Sequence, residues 1–149
     1  MAVGCAACLV TLAACKDDDN DTSNGGGGGT PVDVTVQEYR VVVDPASAPA
    51  GKISFAVYNT GKEMHEFIVF KTDLAPDKLP LKDGKVDEEG TGVDKIGELE
   101  EIDPGDTKTL TVTLDAGKHV VICNRVEEGE DGGVESHYVH GMHAAFTAE

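Results

Sequence analysis

Residues 117–146 read GKHVVICNRVEEGEDGGVESHYVHGMHAAF and carry six of the eight cysteine, histidine and methionine side chains that follow residue 15. The stretch contains Cys123, the only cysteine after residue 15, and four of the five histidines. It also contains Met142, which directly follows a glycine. Thiolate, imidazole and thioether groups are the donors that soft and borderline metal ions prefer. The stretch therefore offers the donors of a transition-metal site.

Alternating apolar residues upstream of this stretch predict β-strands. In KISFAVYN, Ile53, Phe55 and Val57 share one face, as residues two apart do in a strand. Residues 107–114, TKTLTVTL, alternate in the same way. Proline and glycine turns separate such runs, so we expect six or seven short strands in an all-β Greek-key sandwich. We assign this domain to residues 32–149.

Three departures from the alternation predict further features. The apolar phase changes between Val36 and Tyr39, which favours a bulge or a switch between sheets. The run from His65 to Phe70 is apolar on both faces, so we expect this strand to be covered on both sides. Residues 73–101 lose the alternation and carry prolines, glycines and many charges. That composition indicates a long excursion between two strands.

The N-terminal residues indicate export. Residues 1–15 form an uncharged apolar run that is too short to span a bilayer and fits the core of a signal peptide. The run ends in Leu-Ala-Ala-Cys15, which resembles the bacterial lipoprotein box, whose cysteine is lipidated and becomes the mature N-terminus. An ordinary secretory signal is the alternative. Residues 16–31 are acidic and then glycine-rich, as in a flexible tether. We therefore expect a lipid anchor at Cys15, on the periplasmic or extracellular face of a membrane.

The chain is strongly acidic. It has 12 lysines and arginines against 28 aspartates and glutamates, which gives a formal net charge of −16 at pH 7. This charge disfavours nucleic acid as a partner and favours proteins with basic surfaces. The length of 149 residues leaves room for one domain after the leader. We expect that domain to be monomeric.

Cys123 ends a predicted strand in a chain that carries an export signal, and exported thiols usually form disulfides. If lipidation uses Cys15, Cys123 has no partner cysteine left. It is then an intermolecular bridge, a reactive thiol, an inert buried thiol or a metal ligand. His65 follows a turn at the start of its strand, which places it near the loop end of the sandwich. If the closing hairpin ends there too, His65 and Cys123 can meet.

Three segments together resemble the cupredoxin family of small blue copper proteins. They are AGKISFAVYNTGKEMHEFIVF (50–70), DPGDTKTLTVTLDAGKHVVICN (103–124) and HYVHGMHAAFTA (137–148). The family pattern has a histidine soon after an Asn-Thr-Gly-type turn and a Cys…His…Gly-Met run before the last strand. The resemblance implies a cupredoxin-like β-sandwich of about seven to eight strands.

The resemblance also implies a copper cofactor and its ligands. By position, His65 and His137 are the two imidazole ligands, Cys123 is the thiolate and Met142 is the axial thioether. This donor set is that of a blue-copper electron-transfer site. His140 is the weaker candidate for the second imidazole, because a single residue separates it from Met142 and both would have to reach one metal.

The spacing between two of these ligands departs from the family pattern. Family members usually have two to four residues between the cysteine and the second histidine, whereas thirteen residues separate Cys123 from His137. The inserted residues 124–136 are acidic and glycine-rich, so we expect a solvent-exposed protrusion. Such a protrusion either leaves the two ligands in place or loosens the site and opens it to water.

Other polar residues near the ligands are candidates for a supporting role. A carboxylate such as that of Glu66 can orient a ligand. His119 lies on the strand that leads to Cys123 and is a candidate for the core or for contact with a ligand. His140 is either a surface residue or an aid to copper import. The candidates for support around the ligands are Glu66, His119, Asn124 and His140.

The resemblance implies a protein that carries single electrons through a Cu(I)/Cu(II) couple, receives them from a redox partner and catalyses no reaction. A copper chaperone or storage module that uses the same ligands in an open site is the alternative. The additional histidines and the long insertion are the features that support this alternative.

Overall fold

A computed structural model describes Met1 and residues 28–129 and 132–149 of the protein. The rest of the predicted leader and the tether up to residue 27 lie outside the described residues. The described part of the chain forms strands, turns and bends, and it contains no helix. None of it therefore forms an apolar helix of the length that a bilayer requires. The prediction of an all-β protein is confirmed.

The described strands are short, and most of them are joined by tight turns. In chain order they are β1 (Thr30–Gln37), β2 (Arg40–Asp44), β3 (Ser47–Ala48), β4 (Gly51–Asn59), β5 (His65–Lys71), β6 (Leu81–Lys82), β7 (Lys85–Val86), β8 (Asp94–Ile102), β9 (Thr107–Leu114), β10 (Gly117–Ile122), β11 (Val126–Glu128), β12 (Val134–Ser136) and β13 (His143–Ala148).

Two sheets form the sandwich. The first has the strand order β2-β1-β4-β9, and the second has the order β3-β13-β10-β5-β8. Neighbours are antiparallel except β1 with β4 and β13 with β3, which are parallel. The two sheets contain nine strands, which exceeds the expected seven to eight because β3 has only two residues and β8 has little apolar alternation. Two small hairpins, β6-β7 and β11-β12, lie outside the sheets.

Aromatic rings join the two sheets across the core. Phe55 of the first sheet packs against Phe67 and Phe146 of the second, with ring centroids 5.4 Å and 5.2 Å apart. All three side chains are buried. Burial of each ring stabilises the fold by about 1.5–3 kcal/mol. The alternating residues that predicted the strands therefore form the core between the sheets.

The strands β1 and β2 form a hairpin whose two-residue turn consists of Glu38 and Tyr39, since Gln37 pairs with Arg40. The predicted bulge or sheet switch at this point is wrong. The apolar phase changes because the chain reverses direction, and both strands remain in the first sheet. The turn contains no glycine, proline or asparagine, so the usual sequence signal of a hairpin is missing.

The outer face of the second sheet is covered by residues 73–93. Leu79 and Val86 of this segment belong to one apolar cluster with Ile68 and Phe70 of β5. The prediction that β5 is covered on both sides is therefore confirmed.

The excursion between strands is shorter than the predicted residues 73–101, because residues 94–102 form β8 at the edge of the second sheet. This strand is rich in charged residues, which protect a sheet edge from pairing with other chains. Its pairing with β5 also shifts register twice, between His65 and Phe67 and between Val69 and Phe70. Both features hide the strand from an analysis of apolar alternation.

Candidate metal centre

Three donor atoms converge at one end of the sandwich. Nδ1 of His65 lies 3.2 Å from Nδ1 of His137, and Sγ of Cys123 lies 3.8 Å and 3.5 Å from these two nitrogens. All three side chains are fully buried, with relative exposures of 0%. The structure therefore brings together two imidazoles and the thiol in a group with the spacing of metal ligands.

The side chain of Asn59 shapes the turn that leads to His65. Its Nδ2 donates hydrogen bonds to the carbonyl oxygens of Glu63 (2.7 Å) and Ile102 (2.8 Å), and its Oδ1 accepts one from the amide of Gly61 (2.9 Å). Asn59 is itself buried. The asparagine at the end of β4 thus fixes the turn from which His65 enters β5, which explains the Asn-Thr-Gly signal in the sequence.

Backbone hydrogen bonds connect the other three predicted ligands. The amide of Cys123 donates to the carbonyl of Met142, and the amide of Met142 donates to the carbonyl of His137, both at 3.0 Å. The amide of Glu66 donates to Sγ of Cys123 at 3.2 Å. Met142 is fully buried and belongs to the same apolar cluster as Cys123. The relative positions of these ligands are therefore set by the main chain.

Gly141 is required by the turn between His137 and Met142. Its φ of 116° lies in a region that residues with a Cβ rarely adopt. A Cβ at this position would also lie only 3.3 Å from the carbonyl oxygen of Tyr39. The glycine before Met142 thus has a structural reason in this chain.

The insertion between Cys123 and His137 leaves the site and returns to the same place. The strands β11 and β12, which we call the inserted hairpin, pair from Val126 with Ser136. The amide of His137 then donates to the carbonyl of Arg125 at 3.0 Å. Without the closed hairpin, two residues, Asn124 and Arg125, connect Cys123 to His137. The thirteen-residue spacing therefore conceals a short connection of the kind that the resemblance led us to expect.

The outward-facing nitrogen of His65 meets a carboxylate. Its Nε2 lies 3.2 Å from Oε1 of Glu38, which also accepts hydrogen bonds from the amides of Lys62 (2.7 Å) and Glu63 (2.8 Å). Burial raises the pKa of Glu38, but these backbone hydrogen bonds outweigh it and leave the pKa below its ordinary value. A Cβ on Gly61 would lie 2.2 Å from the same oxygen, so only glycine allows this approach.

His137 has the same arrangement on its outward side. Its Nε2 lies 2.7 Å from Oε1 of Glu127 and 3.5 Å from Oε2 of Glu63. Oε2 of Glu63 forms no hydrogen bond with any described residue. Burial raises the pKa of Glu63, and repulsion from Glu127 raises it further. Each imidazole therefore directs Nδ1 into the site and Nε2 to a carboxylate.

Burial also controls the protonation of the donors themselves. It raises the pKa of the Cys123 thiol to about 11, so the metal-free thiol keeps its proton at neutral pH. Burial also lowers the pKa of His65, with a further contribution from the nearby His137, and so favours the neutral imidazole. A metal ion that binds here has to displace the thiol proton.

The separations of the three donors fit a single metal ion that would be held by all of them. Bonds of about 2.0 Å to nitrogen and about 2.3 Å to sulfur place trigonal donors about 3.5 Å (N to N) and about 3.7 Å (N to S) apart. The observed separations are 3.2, 3.5 and 3.8 Å. Because the carboxylates of Glu38 and Glu127 engage the Nε2 atoms, both Nδ1 lone pairs are free to point at the same position. The residues present therefore fit a soft or borderline metal ion.

The four supporting candidates from the sequence lie in different surroundings. Glu66 reaches Cys123 through its backbone amide rather than its carboxylate. Asn124 holds the 73–93 segment, since its side chain bonds both the amide (2.7 Å) and the carbonyl (3.1 Å) of Val86. His119 is buried and its Nδ1 meets the carbonyl of Gly117. His140 is exposed and lies against the ring of Tyr39, 4.8 Å between centroids.

Sequence reasoning missed the residues that surround the two imidazoles, namely Glu38, Tyr39, Glu63 and Glu127. The carboxylates lie among 28 acidic residues, and no local pattern distinguishes them. Tyr39 contacts His137 edge-on at 5.4 Å between centroids, and its hydroxyl donates to Glu135. These residues reach the site only because the β1–β2 turn, the turn before β5 and the inserted hairpin meet there.

Solved structures share this architecture. Reduced auracyanin from the photosynthetic bacterium Roseiflexus castenholzii aligns with a TM-score of 0.53 and 21% identity, over 83% of this chain and 99% of its own. Auracyanin A of Chloroflexus aurantiacus, a blue copper protein, aligns with a TM-score of 0.53 and 17% identity, over 82% and 100%. Rusticyanin from Thiobacillus ferrooxidans aligns with a TM-score of 0.50 and 17% identity, over 82% and 79%. The chain has a cupredoxin fold.

At identities of 21% or less, the likeness establishes the cupredoxin fold, and the chemistry rests on the residues of this chain. No family model and no curated protein matches the sequence. The fold-class prediction of a cupredoxin-like β-sandwich is confirmed. Within the cupredoxin fold, the candidate site lies at the sandwich end, where the turn before β5, the end of β10 and the turn before β13 meet.

Proposed function

We propose that the protein is a copper-dependent electron carrier whose ligands are His65, Cys123, His137 and Met142. The observation that carries the proposal is the convergence of two Nδ1 atoms and one Sγ within 3.8 Å of one another in a fully buried site. Thiolate with two imidazoles and a weak axial thioether is the ligand set of electron-transfer copper sites. The likeness of the fold to auracyanins and rusticyanin supports the same conclusion.

Copper, when bound, supplies a couple that exchanges one electron between Cu(I) and Cu(II). The protein holds the donors in one arrangement through the backbone bonds among Cys123, His137 and Met142 and through the turn fixed by Asn59. The two carboxylates keep the imidazoles oriented. Burial excludes water from the donors. A site that changes little between oxidation states exchanges electrons readily.

Full burial also supports the carrier over a copper chaperone or storage module. A chaperone needs a ligand that an incoming partner can reach, whereas all four proposed ligands have relative exposures of 0%. His140, which sequence reasoning connected with copper import, is exposed and belongs to no described group of converging donors. We also propose no catalytic role, because four protein donors leave no position on the metal for a substrate.

A copper titration tests the proposal. Addition of one equivalent of Cu(II) to the full-length protein is expected to produce an intense thiolate-to-copper charge-transfer band, and reduction should bleach it reversibly. Zn(II) is the matched control, since it binds the same donors but has a filled d shell and no redox chemistry. Tight copper binding without the band would favour the chaperone or storage function.

Two properties of the whole protein remain proposals that the sequence supports. The Leu-Ala-Ala-Cys15 box and the acidic tether support lipid anchoring on the outer face of a membrane, which mass spectrometry of the mature N-terminus tests. A soluble product with an unmodified N-terminus would contradict it.

The net charge of −16 supports a redox partner with a basic docking surface. Electron-transfer rates to such a partner should then fall as salt rises, because exposed charges are screened.

A further inference from the structure

The inserted hairpin contributes a carboxylate to the metal centre. Oε1 of Glu127, in β11, lies 2.7 Å from Nε2 of His137, a distance typical of a charge-assisted hydrogen bond. His137 has no exposed surface, while the Glu127 side chain is 32% exposed. The carboxylate therefore covers the outward edge of this imidazole. The insertion, which the sequence presented as a protrusion, lies directly against a proposed ligand.

Other contacts hold this carboxylate in place. Nε of Arg125 donates to the same oxygen of Glu127 at 3.2 Å. Glu135 is the cross-strand partner of Glu127 in the hairpin, and it accepts a hydrogen bond from the hydroxyl of Tyr39 in the β1–β2 turn. The hairpin is thus attached to the sandwich through Tyr39 as well as through His137. Arg125 therefore contacts the Glu127 carboxylate directly, and the contact of Tyr39 with Glu135 holds the hairpin that carries it.

A carboxylate in this position has a defined chemical effect on the ligand. When it accepts the Nε2 proton, the neutral imidazole keeps its lone pair on Nδ1, which faces Sγ of Cys123 at 3.5 Å. The negative charge also makes Nδ1 more basic, as in the carboxylate–histidine–metal arrangements of other metal sites. A more basic donor stabilises a divalent ion more than a monovalent one. The oxidised state is therefore favoured.

We propose that Glu127 is a positioning residue: it holds His137 in the tautomer that directs Nδ1 into the site, and it lowers the reduction potential of the bound metal. The effect on the reduction potential rests on the copper function proposed above. The effect on the tautomer applies to the metal-free protein. Glu38 stands in the same relation to His65. Glu127 is the better residue to test because Glu38 also accepts hydrogen bonds from the amides of Lys62 and Glu63, so its loss would disturb the turn before His65.

The test compares Glu127→Ala with Glu128→Ala. Glu128 is the next residue of β11 and is exposed, on the other face of the strand. Its replacement by alanine removes the same charge as Glu127→Ala. In Glu127→Ala, Cu(II) affinity should fall by about 10- to 100-fold, as for loss of other residues that support a ligand. Each tenfold decrease in Cu(II) affinity relative to Cu(I) affinity raises the reduction potential by about 59 mV. Glu128→Ala should leave both quantities near the wild-type values.

Glu127→Gln keeps the shape and an acceptor oxygen but removes the charge, so its potential should lie between those of wild type and Glu127→Ala. If the alanine variant folds poorly, the comparison of wild type with Glu127→Gln still tests the effect of the charge on the potential. In metal-free protein, nitrogen NMR should show a proton on Nε2 of His137 in wild type and Glu128→Ala, and a mixture of tautomers in Glu127→Ala. A merely structural role of Glu127 would not produce this graded change in potential.

The outcomes separate this inference from the proposed function. If wild-type protein shows the charge-transfer band but the Glu127 and Glu128 variants have equal potentials and the same His137 tautomer, the positioning role is wrong and the carrier function stands. If wild type binds copper without the band, the carrier function fails, and the NMR comparison alone decides the role of Glu127 in the metal-free site.

Discussion

Cys123→Ser is expected to abolish the thiolate-to-copper charge-transfer band completely. The band requires a sulfur orbital, and a serine hydroxyl is neither soft nor deprotonated at neutral pH. Sγ of Cys123 is also one of the three donors that converge within 3.8 Å of one another. Copper affinity should therefore fall by more than the roughly 10- to 100-fold decrease that follows loss of a supporting residue. Visible absorption and copper titration of the same sample measure both effects.

Folding of this variant needs a separate measurement. Cys123 is fully buried and accepts a hydrogen bond from the amide of Glu66, so a shorter hydroxyl leaves that amide less well paired. We expect a loss of about 1–3 kcal/mol in the free energy of unfolding, which a stable domain tolerates. Chemical denaturation of metal-free wild type and variant provides the control. A band that persists in a folded Cys123→Ser protein would exclude the proposed thiolate ligand.

His137→Ala is expected to remove the band or shift it strongly, whereas His140→Ala should leave it nearly unchanged. Nδ1 of His137 lies 3.2 Å from Nδ1 of His65 and 3.5 Å from Sγ of Cys123, in a fully buried position. The side chain of His140 is exposed and stacks near Tyr39. The two variants remove the same side chain from positions three residues apart, so each serves as the control for the other.

Absorption spectra and copper affinities of the two variants should be measured under the same conditions. The reverse result, with the band lost in His140→Ala and kept in His137→Ala, would overturn the ligand assignment without changing the fold. Loss of the band in both variants would point instead to a general disturbance of the turn between His137 and Met142. Metal-free unfolding curves distinguish that case.

Much of the sandwich could be predicted from alternation because its core strands are regular. Ile53, Phe55 and Val57 alternate without interruption and all face the core. The edge strand β8 escaped prediction because its outward residues are charged and its register shifts. The β1–β2 turn escaped because Glu38 and Tyr39 carry no turn signal.

The candidate ligands could be predicted because thiol, imidazole and thioether groups are rare in this chain and occur close together. The residues around them could not, for the opposite reason. Glu38, Glu63 and Glu127 are three ordinary members of a large set of acidic residues. Their place beside His65 and His137 follows from the meeting of two turns and a hairpin that are distant in sequence. Only the tertiary structure selects them.

The hydrogen bond from His137 to Arg125 has a consequence for how such centres are recognised and engineered. Motif searches count residues along the chain, but the ligand geometry depends on the path that the hydrogen bonds close. A segment that departs and returns across one backbone contact can vary in length while the donors stay where they are. The tip of the inserted hairpin, around Gly129 and Gly133, is therefore a suitable position at which to graft a peptide near the candidate metal centre.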